Sequence, residues 1–281
     1  MKYEPVTLES VVPEEGAEST WFSLIRVATF LGVTFAGIAV LYGLLVLILP
    51  GSLGRFFDGT FKTFAFLWTL GTTLAFWGVV EEKTLPDMGL LPRRSELLAG
   101  LAVGFCSVLL LYGLGLVTGL IRFAPGGGGF FGALLGALGF TLAWVMLEEI
   151  LFRGYLLQTL LTDMPPWLAA LIASFLYAQI HLIKPGQPNV LLPFVGFFLT
   201  GLVLCYAYLL TENLFLPIGL HASWCFFQAF SNRLHLWSYP NAFWTGAGNP
   251  QTGILGIAVI LFVALALRFV YGPTNWTELR D

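Results

Sequence analysis

The chain has 281 residues, of which 57% are hydrophobic and 10% charged, with a mean hydropathy of +0.84. A soluble domain carries about 25% charged residues, so this composition excludes a water-surrounded globule and predicts a polytopic membrane protein. The net charge of −3 is small and no basic patch occurs, which excludes a nucleic-acid partner and leaves the lipid bilayer as the first one.

Residues 1–21 read as a solvated tail, because Glu4, Glu9, Glu14, Glu15 and Glu18 are the opposite of the basic start of a cleavable signal peptide. A single transmembrane domain is expected over 22–271, followed by a short C-terminal tail, 272–281. Crossing a bilayer takes about 20 apolar helical residues. Segments at 22–50, 62–80, 98–121, 130–161, 166–183, 190–211, 214–232 and 252–271 meet or approach that length. The predicted fold is therefore all-α, a helix bundle with about eight spans. The first and fourth segments are longer than a crossing needs, so tilt, a kink or an extension is expected there. Breaks between segments fall at turn-forming runs such as "LPGSLG" at 49–54, "APGGGG" at 124–129, "DMPPW" at 163–167 and "KPGQPN" at 184–189. No internal repeat occurs.

Small residues recur at four-residue spacing: Gly100 with Gly104, Gly115 with Gly119, Gly132 with Gly136. In lipid such spacing lets helix backbones approach closely, and packing within the bundle is the expected use. The loop at 81–96, with Lys83, Arg93 and Arg94, is the most basic short connection, and the positive-inside rule assigns it to the cytoplasm. Cys106, Cys205 and Cys225 all sit in apolar runs, which indicates neither a disulfide framework nor a thiolate metal site.

An ionisable residue inside a membrane helix costs about 2.5 to 3.5 kcal/mol even on lenient scales, so those away from the interfaces are the informative ones. They are Glu148, Glu149 and Arg153 in the fourth segment, His181 closing the fifth and His221 early in the seventh. Arg26, Glu212 and Arg268 lie near segment ends, where they can snorkel. Glu149 and Arg153 are four apart and share a helix face, which predicts an ion pair. Glu148 is rotated by about 100° and needs a different partner. Counting from the turn at Asp163, Glu148 lies 15 residues before it and His181 lies 18 after it, so both end at one depth. There a carboxylate and an imidazole can share a water. By the same counting His221 falls nearer the other membrane face, unless Pro217 and Gly219 let its helix start deep behind a re-entrant loop.

No HExxH or GxSxG motif occurs, and the four aspartates (Asp58, Asp87, Asp163, Asp281) lie in loops or at the terminus. Zincin, serine-elbow and aspartyl-dyad chemistries are therefore not indicated. One carboxylate and two histidines remain. They can ligate a metal, or they can act without one, polarising water and holding an oxyanion. A buried charge network that only fixes packing, and a proton relay of a transporter, are the non-hydrolytic alternatives.

"EEILFRG", "YAQIHL" and "LPIGLHASWCFFQ", in this order, resemble the three motifs EExxxR, FxxxH and HxxxN of the CAAX-protease and bacteriocin-processing (CPBP) family of intramembrane glutamic endopeptidases. The resemblance covers roughly residues 80–232. It implies that Glu148 is the water-activating base, with Glu149 and Arg153 in support. It also implies that His181 assists on the same water and that His221 stabilises the oxyanion, with no cofactor or metal required. The implied substrate is a membrane-anchored protein or peptide, CAAX-like or other. The implied location is an integral, multi-pass one in the bacterial plasma membrane or an equivalent endomembrane.

Two positions depart from the family pattern. Tyr177 stands for phenylalanine and keeps the ring. Cys225 stands for an asparagine that supplies an oxyanion donor, and a thiol is a weak one. A slower protease, a replacement donor, or a catalytically inactive scaffold or immunity protein are the readings this leaves.

Overall fold

The computed structural model describes residues 21–48, 54–182, 190–246 and 249–272; apart from Trp21 and Gly272, the two predicted tails lie outside the described residues. Among the described residues, eight long helices occupy the eight apolar segments, and the fold is an all-α bundle. They are α1 (Phe22–Ile48), α2 (Gly54–Ala75, continued by a π-helical turn Phe76–Val80), α3 (Arg94–Val117), α4 (Phe130–Leu160), α5 (Pro166–Leu182), α6 (Leu191–Thr211), α7 (Phe215–Arg233) and α8 (Ile254–Tyr271). A two-residue antiparallel ladder, β1 (Arg122–Phe123) with β2 (Trp237–Ser238), ties the loop before α4 to the loop after α7.

Six of the eight helices are long and apolar enough to cross a membrane, namely all but α5 and α7. The chain is an integral, multi-pass membrane protein, and its two shorter or more polar helices are those that carry the histidine motifs. The described part of α5 is 17 residues long, about 25 Å, and it brings His181 to the depth of Glu148. The length of α4 is accommodated by a π-helical stretch, Ile150–Leu156, directly after the two glutamates. Such wide turns cluster at functional sites.

The placement of α7 corrects the depth expected for His221. The helix does start deep, but the cause lies in the loop before α3 rather than in Pro217 and Gly219. Residues 88–90 fold into the bundle. Met88 is fully buried against Gly154, where a Cβ would come within 2.7 Å of its side chain. The Met88 carbonyl accepts from Gln158 at 2.9 Å. Gly89, in the left-handed region at φ 86°, accepts through its carbonyl from the Leu214 amide at 3.0 Å. Asn213 donates to the Leu91 carbonyl at 2.9 Å and caps the Phe215 amide at 2.9 Å. The start of α7 is thereby pinned near the level of Gly154, and His221 ends beside Glu148. The same loop is shaped by Thr84, whose amide and hydroxyl both donate to Asp87 and hold its carboxyl below the usual range.

Glycines set the spacing of the α3–α7 seam. A Cβ on Gly100 would lie 2.3 Å from the Leu216 carbonyl, and one on Gly219 would lie 2.5 Å from the Leu97 carbonyl. Gly104 likewise faces Ser223 and the Leu220 carbonyl. The Gly100/Gly104 pair thus serves packing within the bundle. Gly115 packs on Ile121, whereas Gly119 and Gly132 meet no close neighbour. Arg26 pairs with Glu81 and donates to Thr162, while Ser23 binds Asp163, so polar bonds fasten α1 to the loops beside α4.

Candidate active site

Glu148, Glu149 and Arg153 follow one another on α4 where it is enclosed by α5, α6 and α7, and all three are buried. Arg153 donates to Glu149 Oε1 at 3.0 Å, which is the pair that the four-residue spacing predicts. Its other nitrogen donates to the Gly201 carbonyl of α6 at 3.1 Å. The guanidinium also lies over the Tyr177 ring, 4.9 Å from its centroid. A buried charge of this kind is tolerable only when paired and hydrogen-bonded, and each of these contacts answers that demand. Gly201 can offer its carbonyl because α6 runs close to α5 at this point; a Cβ there would sit 3.0 Å from Ser174.

Glu148 lies between the two histidines. Its Oε1 is 3.4 Å from His181 Nε2 and its Oε2 is 3.7 Å from His221 Nε2. The depth count from the 163–167 turn therefore holds for His181. The His181 ring is fixed on both sides, 4.3 Å from the Tyr177 ring and stacked at 4.5 Å on Phe197. His181 Nδ1 lies 2.8 Å from the Tyr177 carbonyl. A carbonyl only accepts, so Nδ1 carries the proton and Nε2 presents a lone pair towards Glu148 in the neutral ring.

His221 holds a bond that sequence reasoning missed. Its Nδ1 is 2.7 Å from Glu149 Oε1, the same oxygen that binds Arg153. Glu149 thus fixes two side chains at once, one on its own helix and one on α7. No spacing rule reveals a contact across 72 residues. Among buried side-chain oxygens, Glu148 Oε2 and Glu149 Oε2 make no hydrogen bond.

Cys225 is partly buried one turn beyond His221 on α7. Thr141 of α4 lies beside its thiol. That hydroxyl is buried and makes no hydrogen bond of ordinary length. Thr141 stands seven residues before Glu148, hence on the same helix face, so its position was legible in the sequence although it was not singled out. Gly201 and Phe197 carried no such signal.

As for a metal, Glu148, His181 and His221 converge, but among the described residues no group of three or more His, Cys, Asp or Glu side chains has the arrangement to hold an ion. His221 Nδ1 is already bound to Glu149.

Residues 128–227 match the family model described as Type II CAAX prenyl endopeptidase Rce1-like, a stretch that contains all three motifs. No curated protein and no solved structure matches the chain.

Proposed function

We propose that this chain, whose residues 128–227 match the Rce1-like family model, belongs with the CAAX-type proteases of the CPBP family and is a glutamate-dependent intramembrane endopeptidase acting on a membrane-anchored polypeptide. The observation that carries the reading is Glu148 held between His181 and His221, at 3.4 and 3.7 Å, inside an apolar bundle.

The chemistry follows from the acceptors and donors. A water between Glu148 and His181 donates one hydrogen to the carboxylate and the other to the His181 Nε2 lone pair, which raises its nucleophilicity. Its oxygen attacks the scissile carbonyl carbon while Glu148 takes the proton. His221, held to Glu149 through Nδ1, turns Nε2 towards the oxyanion as its hydrogen-bond donor. Collapse breaks the C–N bond, and Glu148 returns its proton to the departing amine. The products are a carboxylic acid, which keeps the second water hydrogen and ionises on release, and an amine, and the site is restored. Glu149 and Arg153 position His221 and balance charge. Tyr177 orients His181 through its carbonyl and ring.

Thr141, with an uncommitted hydroxyl beside Cys225, is the replacement for the missing asparagine donor. The second reading, a scaffold or immunity protein without peptidase activity, is favoured by Cys225 alone.

The test is a panel of membrane-anchored peptides incubated with the reconstituted protein, with products identified by mass spectrometry. The proteolytic reading expects one defined cleavage that survives a chelator and disappears in Glu148→Ala. Loss to the chelator would transfer the chemistry to a metal. No cleavage by wild type, together with none by Cys225→Asn, would leave the scaffold reading in its place.

A further inference from the structure

The second histidine motif carries a tyrosine where the family pattern has phenylalanine, and that tyrosine stands inside the site. Tyr177 lies four residues before His181, on the same face of α5, and is 2% exposed. Side chains of the site surround its ring. The His181 ring lies at 4.3 Å, the Phe152 ring at 5.1 Å and the His221 ring at 6.4 Å, with the Arg153 guanidinium 4.9 Å from its centroid. Glu148 lies between those same two histidines, and the Tyr177 hydroxyl is turned to its carboxylate. A phenylalanine would fill the space of the ring without the hydroxyl, so packing does not account for it.

A carboxylate only accepts hydrogen bonds, so between these two groups the phenol donates. Glu148 is buried, and its Oε2 makes no hydrogen bond. His181 turns a lone pair towards it in the neutral ring, because Nδ1 is bound to the Tyr177 carbonyl. The titratable and charged groups around the carboxylate are His181 and Tyr177 from α5, His221 and Cys225 from α7, and Arg153 with its partner Glu149 from α4. The neighbouring α6 adds Cys205, beside Arg153. Arg153 is already committed to Glu149 and to the Gly201 carbonyl. The Tyr177 hydroxyl is a neutral donor, so it steadies a carboxylate without placing a further charge in the bundle.

We propose that the Tyr177 hydroxyl donates to Glu148 and holds it as the anion that takes a proton from the attacking water. This rests on the proteolytic reading above. Tyr177 is then a positioning residue for both groups that flank the water. Its carbonyl accepts from His181 Nδ1 at 2.8 Å, and its hydroxyl orients the carboxylate. A hydrogen bond to the charged form of a group favours that form, so Glu148 stays ionised to lower pH beside tyrosine than beside phenylalanine. Cleavage is lost as Glu148 takes up a proton. Removing the hydroxyl therefore moves the acidic limb of the rate profile to higher pH and leaves the plateau above it in place.

Reconstituted full-length protein, as wild type and as Tyr177→Phe, is given one membrane-anchored fluorogenic peptide over a range of pH. The acidic limb of kcat/KM is expected to move up by about 1 to 2 pH units in Tyr177→Phe, a loss of about 10- to 100-fold at a pH on that limb. On the plateau at higher pH the variant should match wild type, with KM and melting temperature unchanged. A ring-fluorinated tyrosine at position 177, a stronger donor, should move the limb the other way. Coincident limbs overturn the proposal and leave the protease intact. A loss by the same factor at every pH also overturns it, and assigns the hydroxyl to packing. If Tyr177→Phe does not fold, the fluorinated protein decides, and a limb that stays in place refutes the proposal. If wild type cleaves no peptide, the proteolytic reading fails. Infrared titration of the carboxyl band that disappears in Glu148→Gln then decides Tyr177 alone: a higher midpoint in Tyr177→Phe upholds the bond, and equal midpoints refute it.

Discussion

Glu148 and Glu149 are adjacent and chemically identical, yet their surroundings give them opposite tasks. Glu149 touches Arg153 and His221 through one oxygen. Replacing it with glutamine leaves a fully buried guanidinium without its carboxylate, a change that costs about 3–5 kcal/mol. Glu149→Gln should therefore lower the melting temperature in detergent, whereas Glu148→Gln should leave it unchanged or raise it, because Glu148 answers no fixed positive charge. Equal destabilisation by both would refute this division of labour. At Cys225 the expectation runs the other way. An oxyanion donor is worth about 10²- to 10³-fold in rate; with the Thr141 hydroxyl already in that role, Cys225→Asn should speed cleavage by less than that factor. Thr141→Val should slow it by up to that factor. These are readable as single-turnover rates on one peptide. The Glu149–Arg153 pair was legible from spacing and the Glu148–His181 depth from counting through the turn. The Glu149–His221 bond was not, because it depends on how deeply another helix begins.

The two helices that carry the histidines are not among the candidate membrane spans. α7 trades apolar surface for His221, Ser223 and Asn232. Their positions depend on neighbours with little freedom to yield. The α3–α7 contact is already at backbone distance, so Gly100→Ala would force the helices apart and shift His221 with them. Overpacking of this kind costs about 1–3 kcal/mol. A melting measurement should show that loss together with reduced cleavage, whereas Gly132→Ala, which meets open space, should change neither. The glycine spacing could be read from the sequence, but which pair faces a neighbour could not. Helix limits were also legible to within a few residues, except that α2 begins at Gly54 rather than near residue 62. The π-helical stretch after Glu149 had no sequence sign, since its residues "ILFRGYL" fit an ordinary buried helix equally well.

At the scale of the molecule, composition alone set the class, and six apolar helices with two more polar ones satisfy it. The turn at residues 88–90 is the part that composition hides. The loop 81–96 around it reads as a polar, basic connection, yet Met88 within it is buried and its backbone carbonyls hold the start of α7. Met88→Ala should cost about 2–5 kcal/mol and reduce cleavage by releasing His221. The Glu148 site then depends on a loop far away in sequence. The most direct measurement of the central claim is the cleavage rate of one membrane-anchored peptide by wild type and by Glu148→Gln, both in vesicles and with matched melting temperatures. A water-activating Glu148 predicts a loss of about 10²- to 10⁴-fold. A Glu148→Gln protein that cleaves at the wild-type rate would contradict it.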